Sequence, residues 1–231
     1  MDLKELIEIV RAFRAGAPLG DVALMKFAAM KKAGPEIEAQ LHDVAGYAPA
    51  VEVEALLALP ENSLGYTYAR FLRDNGLDHF NLSPELVERY RDNRYAVRYT
   101  VTHDLHHVLC GFDAGMAGEQ GVVGFTVGQG IAPTGPVGMF FGRVISQLLS
   151  PSQASQTRHN YELGVRMGQV AKLVIATPLE SWLERSLGEV RAELGIEEAD
   201  VAAVQPSGTS WFSKVLYGNR SSNKKLPGAA D

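Results

Sequence analysis

Apolar residues recur along this chain mostly at three- and four-residue intervals, the period of a helix face. Leu3, Leu6, Ile7, Val10 and Phe13 fall on one face of a first predicted helix. A second is predicted through DVALMKFAAMKKAG and is stopped by Gly34 and Pro35. VEVEALLALPENSLG predicts a short element broken by Pro60, and the pattern restarts in SLGYTYARFLRDNG. Ser83, Pro84 and Glu85 read as an N-cap, a first-turn proline and an early acid, opening a helix that ends near Tyr90. Another begins soon after and continues through Val108. Past Gly111 the chain is glycine-dense, then MFFGRVISQLL is apolar, and helical patterns cover roughly 154–176 and 178–194. No run alternates long enough for a strand, and there is no repeat. The expectation is an all-α fold with a single multi-helix domain over 1–220, followed by a disordered tail over 221–231, where SSNKKLPGAAD is polar.

Composition narrows the function classes. The chain has 231 residues, 46% of them hydrophobic and 21% charged, so it can bury a sizeable core. A net charge of -5 argues against a nucleic-acid binder, which needs a basic face. The one cysteine, Cys110, excludes an internal disulfide, fits a reducing compartment and reads as a small core residue. Lys4, Glu5 and Glu8 interrupt what would be the apolar run of a signal peptide, and no segment approaches the roughly 20 apolar residues of a membrane span. A cytoplasmic protein is expected.

The chemistry concentrates in TVTHDLHHVLCG, where three of the six histidines fall within five residues. On a helix His103 and His107 lie one turn apart and about 40° apart around the axis, so their imidazoles can converge on one ion. Asp104 lies within about 100° of His103 and 60° of His107; His106 mirrors it on the other flank, and spacing alone does not choose between them. Glu119 follows His107 after eleven residues that include Gly111, Gly115 and Gly118, enough to turn the chain and bring a carboxylate back from the next helix. The alternative is a helix with surface histidines and an unrelated acid on its neighbour. Gly118, Gly121, Gly124 and Gly128 share one helical face. Each costs about 0.5–1 kcal/mol against alanine, so either another helix packs close there or a bare backbone face lines an apolar groove. Arg94 and Arg98 precede the motif by about two turns and one turn. Each reads as a solvated basic face or as a bidentate partner for a substrate carboxylate.

His-Asp-x-x-His, eleven residues, then Glu resembles the signature of the ubiquinone (coenzyme Q) biosynthesis protein 4 family, with His103, Asp104, His107 and Glu119 at its four positions. LPENSLGYTYARFL, VGMFFG and PLESWLERSLGEVRAELGI are similar to further family segments, so the resemblance covers roughly residues 25–196. The family pattern R-x-R-x-x-H-D has Arg98 at its first place here but Thr100 at its second, and Gly121 and Gly124 stand where larger residues are common. This is a divergent resemblance.

The resemblance implies an all-helical fold with one divalent metal ion on those four residues, zinc foremost, with iron or manganese also suited to a mixed nitrogen–oxygen set. It implies oxidative decarboxylation of a polyprenylated hydroxybenzoate in ubiquinone biosynthesis, with dioxygen as the expected oxidant. It also implies peripheral contact with the inner face of the cell membrane and with other ubiquinone-pathway enzymes. An isoprenoid tail would occupy a groove formed by Arg98, Gly118, Gly121, Gly124 and Gly128. Two alternatives stay open. A prenyl-lipid-binding scaffold would carry a structural ion. A metal-dependent hydrolase would use the histidine pair but normally has glutamate directly after the first histidine, where this chain has Asp104. Exposed apolar helices suit a homo-oligomer face as well as a membrane face.

Overall fold

The computed structural model describes residues 3–30, 33–132 and 151–208. Among these, the regular elements are helices, and the extended pairing is a single isolated bridge between Ser63 and Ser186. They are α1 (Leu3–Arg14), α2 (Leu19–Met30), α3 (Pro35–Gln40), α4 (Val53–Leu56), α5 (Leu64–Asn75), α6 (Pro84–Arg89), α7 (Arg94–Cys110), α8 (Met116–Gly128), α9 (Ala154–Val170), α10 (Leu187–Leu194) and α11 (Glu198–Ala202). The tail and the MFFGRVISQLL segment lie outside the described residues.

Helix α7 organises the molecule. Asn93 opens it by accepting from the Ala96 N–H at 3.2 Å, and Gly111 closes it at φ 76°, a left-handed angle that a side chain would strain. It packs against α2, α3, α5 and α8, so it is buried almost all round and has no single apolar stripe. Its first half, through Tyr95, Ala96, Val97 and Tyr99, belongs to one apolar cluster with Leu24 and Leu41. Its second half, through Leu105, Val108 and Leu109, belongs to another with Leu64, Leu72, Val122, Phe125 and Leu163. His103 to His107 sit at the seam between the two.

The glycine face of α8 is filled, which decides between the two readings of that stripe. A side chain at Gly124 would meet the Tyr161 carbonyl, and one at Gly128 the Val165 carbonyl; on α9, Gly164 meets the Gly121 carbonyl and Gly168 the Phe125 carbonyl. Gly121 also lies against the Phe112 ring, and Gly118 against the Asp113 carbonyl. The two helices touch backbone to backbone, and the expected open groove along Gly118, Gly121, Gly124 and Gly128 is not there.

Arg98 also departs from expectation. Its side chain is fully buried and lies neither on a solvated face nor in a groove. The guanidinium grips Glu180 through two bonds of 2.7 and 3.2 Å and donates to the carbonyls of Tyr47, Ile175 and Thr177. Five acceptors thereby match its five N–H groups. Arg94 donates to the Glu38 carbonyl and helps dock α3.

The predicted helix over 178–194 is instead a 3-10 turn (Leu179–Trp182) followed by α10. Pro178 forces Thr177 into an extended conformation. The backbone of the intervening segment then bonds to the start of α5: Gly65 and Leu64 donate to Leu183 and Arg185, and Leu187 donates to Asn62. Ser186 caps α10 through its side chain. Helix α9 stops at Val170, six residues short of expectation, and Lys172 donates its N–H to Leu194. Gly34 and Pro35, read as a stop, begin α3. The described helices form one domain.

Candidate metal centre and adjoining cleft

On α7, His103, Asp104 and His107 each present a donor atom, all within 4.8 Å of one another. Glu119, in the first turn of α8, brings Oε1 to 3.6 Å from His107 Nε2. The His107 ring is almost completely buried and is held from two sides. It stacks on Phe71 at 5.3 Å, and its Nδ1–H donates to the carbonyls of Asp113 at 3.1 Å and Phe112 at 3.3 Å. That bond fixes the tautomer and leaves the Nε2 lone pair facing the other donors, the arrangement usual for metal-binding histidines.

The same short loop makes the turn and orients the ligand. Asp113 accepts from the Gly115 N–H at 3.0 Å, and its carboxylate also takes the N–H and O–H of Ser207. The Ser207 hydroxyl oxygen in turn accepts from the first free amides of α8, Ala117 and Gly118, at 3.0 and 3.1 Å. A residue far downstream thus caps the helix that carries Glu119.

His103 lies between Phe27 and Tyr99, with Nδ1 3.1 Å from Asp104 Oδ1. Burial alone would hold its pKa low, but the Asp104 hydrogen bond and the Glu119 charge carry it above the ordinary histidine value. Burial would raise the Asp104 carboxyl, yet the bond to His103 and the neighbouring imidazoles bring it below the usual range. The cluster therefore favours a positive charge at its centre. Two imidazoles and two carboxylates fit a divalent ion in a mixed nitrogen–oxygen set.

His106 is different. Its Nδ1–H donates to the Thr102 carbonyl at 2.7 Å and its ring packs between Tyr99 and Phe125, fully buried. Asp104, and not His106, joins the cluster. Burial, with the nearby histidines, pushes the His106 pKa down to about 3. An imidazole whose folded pKa lies below its unfolded 6.5 takes its proton more readily when unfolded. Its contribution is thus full above pH 6.5 and is lost as pH falls toward 3. Between pH 7 and pH 5 the wild-type chain is expected to lose about 2 kcal/mol more stability than a His106→Leu variant. Urea titrations in chelator at the two pH values measure this, and identical pH dependence would disprove it. Cys110 is fully buried, its thiol pushed up by burial, and stays out of the cluster.

Beside the donors opens a cleft of about 670 Å³ between α2 and the 76–81 loop. Leu19, Ala23, Phe27, Leu77 and Phe80 give it an apolar wall; His103, Asp104 and Glu119 form its floor. His79, which the sequence pattern did not single out, lines it too.

Two histidines and an aspartate on one buried helix, a glutamate on the next, and an apolar cleft against them define a helix-pair protein with a mixed-donor centre. The model of the family "Coenzyme Q (ubiquinone) biosynthesis protein Coq4" matches residues 47–200, and this chain belongs to that family. It is 30% identical over 154 residues to the mitochondrial ubiquinone biosynthesis protein COQ4 of Paracoccidioides brasiliensis, covering 64% of this chain and 51% of that protein. It is 31% identical over 157 residues to the mitochondrial COQ4 homolog of Danio rerio, covering 67% and 56%. The chain thus spans about half the length of the curated relatives it matches. A crystal structure of a Nostoc punctiforme protein assigned to ubiquinone biosynthesis has the same fold, with a TM-score of 0.57 over 84% of this chain and 96% of that one at 22% identity.

Proposed function

We propose that this chain holds one divalent ion, zinc foremost, on His103, Asp104, His107 and Glu119, and acts in ubiquinone biosynthesis on the head group of a polyprenylated hydroxybenzoate. The observation that carries this reading is the grouping of His103, Asp104 and His107 at the floor of an apolar cleft, with Glu119 Oε1 3.6 Å from His107 Nε2, in a chain of the Coq4 family. When bound, the ion supplies Lewis-acid stabilisation of developing negative charge. The protein's own part is positional. His107 is held in one tautomer by the Phe112 and Asp113 carbonyls, and the apolar wall of the cleft stands beside the donors. In the proposed reaction the carbon-one carboxyl leaves as carbon dioxide and one atom of dioxygen becomes the new ring hydroxyl. The other leaves as water with two electrons and two protons from an external reductant.

The isoprenoid tail would leave by the rim at Leu19, which is 58% exposed; Leu3, Leu6, Ile7, Val10 and Phe13 of α1 form a further exposed apolar row. That row is the proposed face toward a lipid bilayer. Among the described residues no helix is long and apolar enough to cross one.

One observation favours the scaffold reading as a second. Four donors can complete a tetrahedral shell, leaving no open position for chemistry. Metal analysis with a turnover assay separates the two. The purified chain is expected to carry one divalent ion, lost in His107→Ala and Glu119→Gln with helical content retained. It is also expected to release carbon dioxide from 3-geranyl-4-hydroxybenzoate under dioxygen and reductant. Full metal in both variants would overturn the site. Metal and bound head group without carbon dioxide would leave the scaffold.

A further inference from the structure

Helix α2, LGDVALMKFAAM, is apolar but for two charged residues, Asp21 and Lys26. Asp21 is committed to an anchor: its carboxylate accepts from the Ser83 N–H at 2.9 Å and the Ser83 hydroxyl at 2.6 Å. Lys26 is exposed and makes no ion pair or hydrogen bond with another described residue. Leu19, Gly20, Ala23, Lys26 and Phe27 all line the cleft and fall within about 120° of arc around the helix, so the one uncommitted charge of α2 stands on the face that looks into the cleft.

The position of the ammonium follows from its neighbour. Lys26 Nζ lies 5.5 Å from the centre of the Phe27 ring, and that ring stacks on His103 at 6.2 Å and meets Tyr99 edge-on at 4.8 Å. The cation thus sits one aromatic ring away from the donor floor, and its charge is felt there. After burial, the Asp104 bond and the charges of Glu119 and Asp104, it is the remaining influence on the His103 imidazole. The backbone beneath it is fixed, because Gly20 lies so close to the Asn81 carbonyl that no side chain fits between them. The four-carbon stem is flexible, so the head group can follow an oxygen of a bound molecule while its base stays still.

Other candidates for an anion partner fall away. Among the described residues lining the cleft, Lys26 is the only lysine or arginine. His79 is 7% exposed, its Nδ1 is 2.7 Å from the Tyr68 hydroxyl and its Nε2 is buried, so it offers no atom to a ligand. Arg73 lines the neighbouring pocket instead. Asp78, Asp104 and Glu119 are acids, which attract no anion themselves.

We propose that Lys26 is a specificity-determining residue whose ammonium pairs with the carboxylate of the head group in the cleft, selecting an aromatic acid over the neutral phenol of the same shape. This rests on the head-group reading proposed above. A cation beside a departing carboxylate holds the acid more than the transition state, so the residue serves recognition and not the rate of the chemical step. Lys26 also precedes residues 47–200 matched by the family model, so it belongs to a wall of the cleft that the match does not reach.

The test measures equilibrium binding to the metal-loaded chain of two probes, 3-geranyl-4-hydroxybenzoate and 2-geranylphenol, which keeps the tail and the phenol and lacks the acid. Lys26→Met removes the charge and keeps an unbranched stem that suits a helix. It is expected to bind the acid about three- to five-fold more weakly than wild type, the size of an ion pair open to water, and the phenol equally well. Lys26→Arg should retain the acid, Lys26→Glu should weaken it further, and high salt should narrow the gap between wild type and Lys26→Met. All three variants should keep one metal ion. Equal loss of both probes in Lys26→Met would make Lys26 a packing residue and overturn the proposal, and loss of metal would do the same. If wild type binds neither probe, the head-group reading falls and this inference with it; if wild type binds the acid and Lys26→Met matches it, this inference alone falls.

Discussion

Replacing Arg98 with methionine is expected to lower stability by about 3–5 kcal/mol, because it leaves the Glu180 carboxylate uncompensated in the interior. Side-chain exposure of the pair is 0% and 2%, so water cannot take over the role of the guanidinium. The Tyr47, Ile175 and Thr177 carbonyls lose a donor in the same step. For a chain of this size the melting temperature should fall by roughly 10 °C or more. Since a domain's whole stability is about 5–15 kcal/mol, part of the population would not fold. Removing both charges in Arg98→Met with Glu180→Leu should recover much of the loss, because the cost comes from a lone buried charge more than from a missing attraction. The double variant should still bind metal, since neither residue touches the donors. Circular dichroism melts of the three proteins decide this, and a single variant as stable as wild type would refute the ion-pair account.

The second large effect is expected at a residue that touches no ligand. Gly164→Ala puts a methyl group against the Gly121 carbonyl, with the Phe125 amide nitrogen 2.8 Å away. Two opposed terms follow. Helix propensity gains about 0.5–1 kcal/mol, and overpacking costs about 1–3 kcal/mol, at the upper end here because the obstacle is backbone. Overpacking wins, for a net loss of about 2 kcal/mol and a melting shift of roughly 4–8 °C. Relief requires α8 to move off α9, and α8 carries Glu119, so metal affinity should fall as well. Gly188→Ala is the control: nothing lies within 4 Å of its added carbon, so only the propensity gain remains. If Gly164→Ala stabilises as Gly188→Ala does, the close-packed interface is wrong.

Where the sequence could be read, the information was local. His103, Asp104 and His107 share about one turn of one helix, and Glu119 lies one glycine-eased reversal further on, so spacing brings the histidine pair and the glutamate near one another but left Asp104 and His106 as equal candidates. The run of α7 through Val108 was legible from its helical pattern, while its cap at Asn93 was not singled out. The glycine face of α8 was legible as a face but not as an interface, because the residues that fill it, Tyr161, Gly164 and Gly168, lie on a helix some forty residues away whose approach no local pattern encodes. Arg98 was misread because its partner is Glu180 and its burial depends on elements from both directions. The segment 178–194 was misread because periodicity does not reveal backbone bonds to Asn62, Leu64 and Gly65. His79 sits in a stretch that reads as loop, and its place comes from Tyr68 and from the cleft wall, neither of which is visible in one dimension.

The Ser207 cap has a consequence for the order of assembly. Amides at Ala117 and Gly118 wait for a hydroxyl supplied 90 and 89 positions later, so a growing chain emerging from the ribosome carries its histidine pair long before the neighbouring acid is anchored. An ion met during synthesis would find three donors on one turn and a fourth still swinging. If the proposed ion binds there, its fourth donor gains a fixed anchor only once Ser207 has reached the opening of α8.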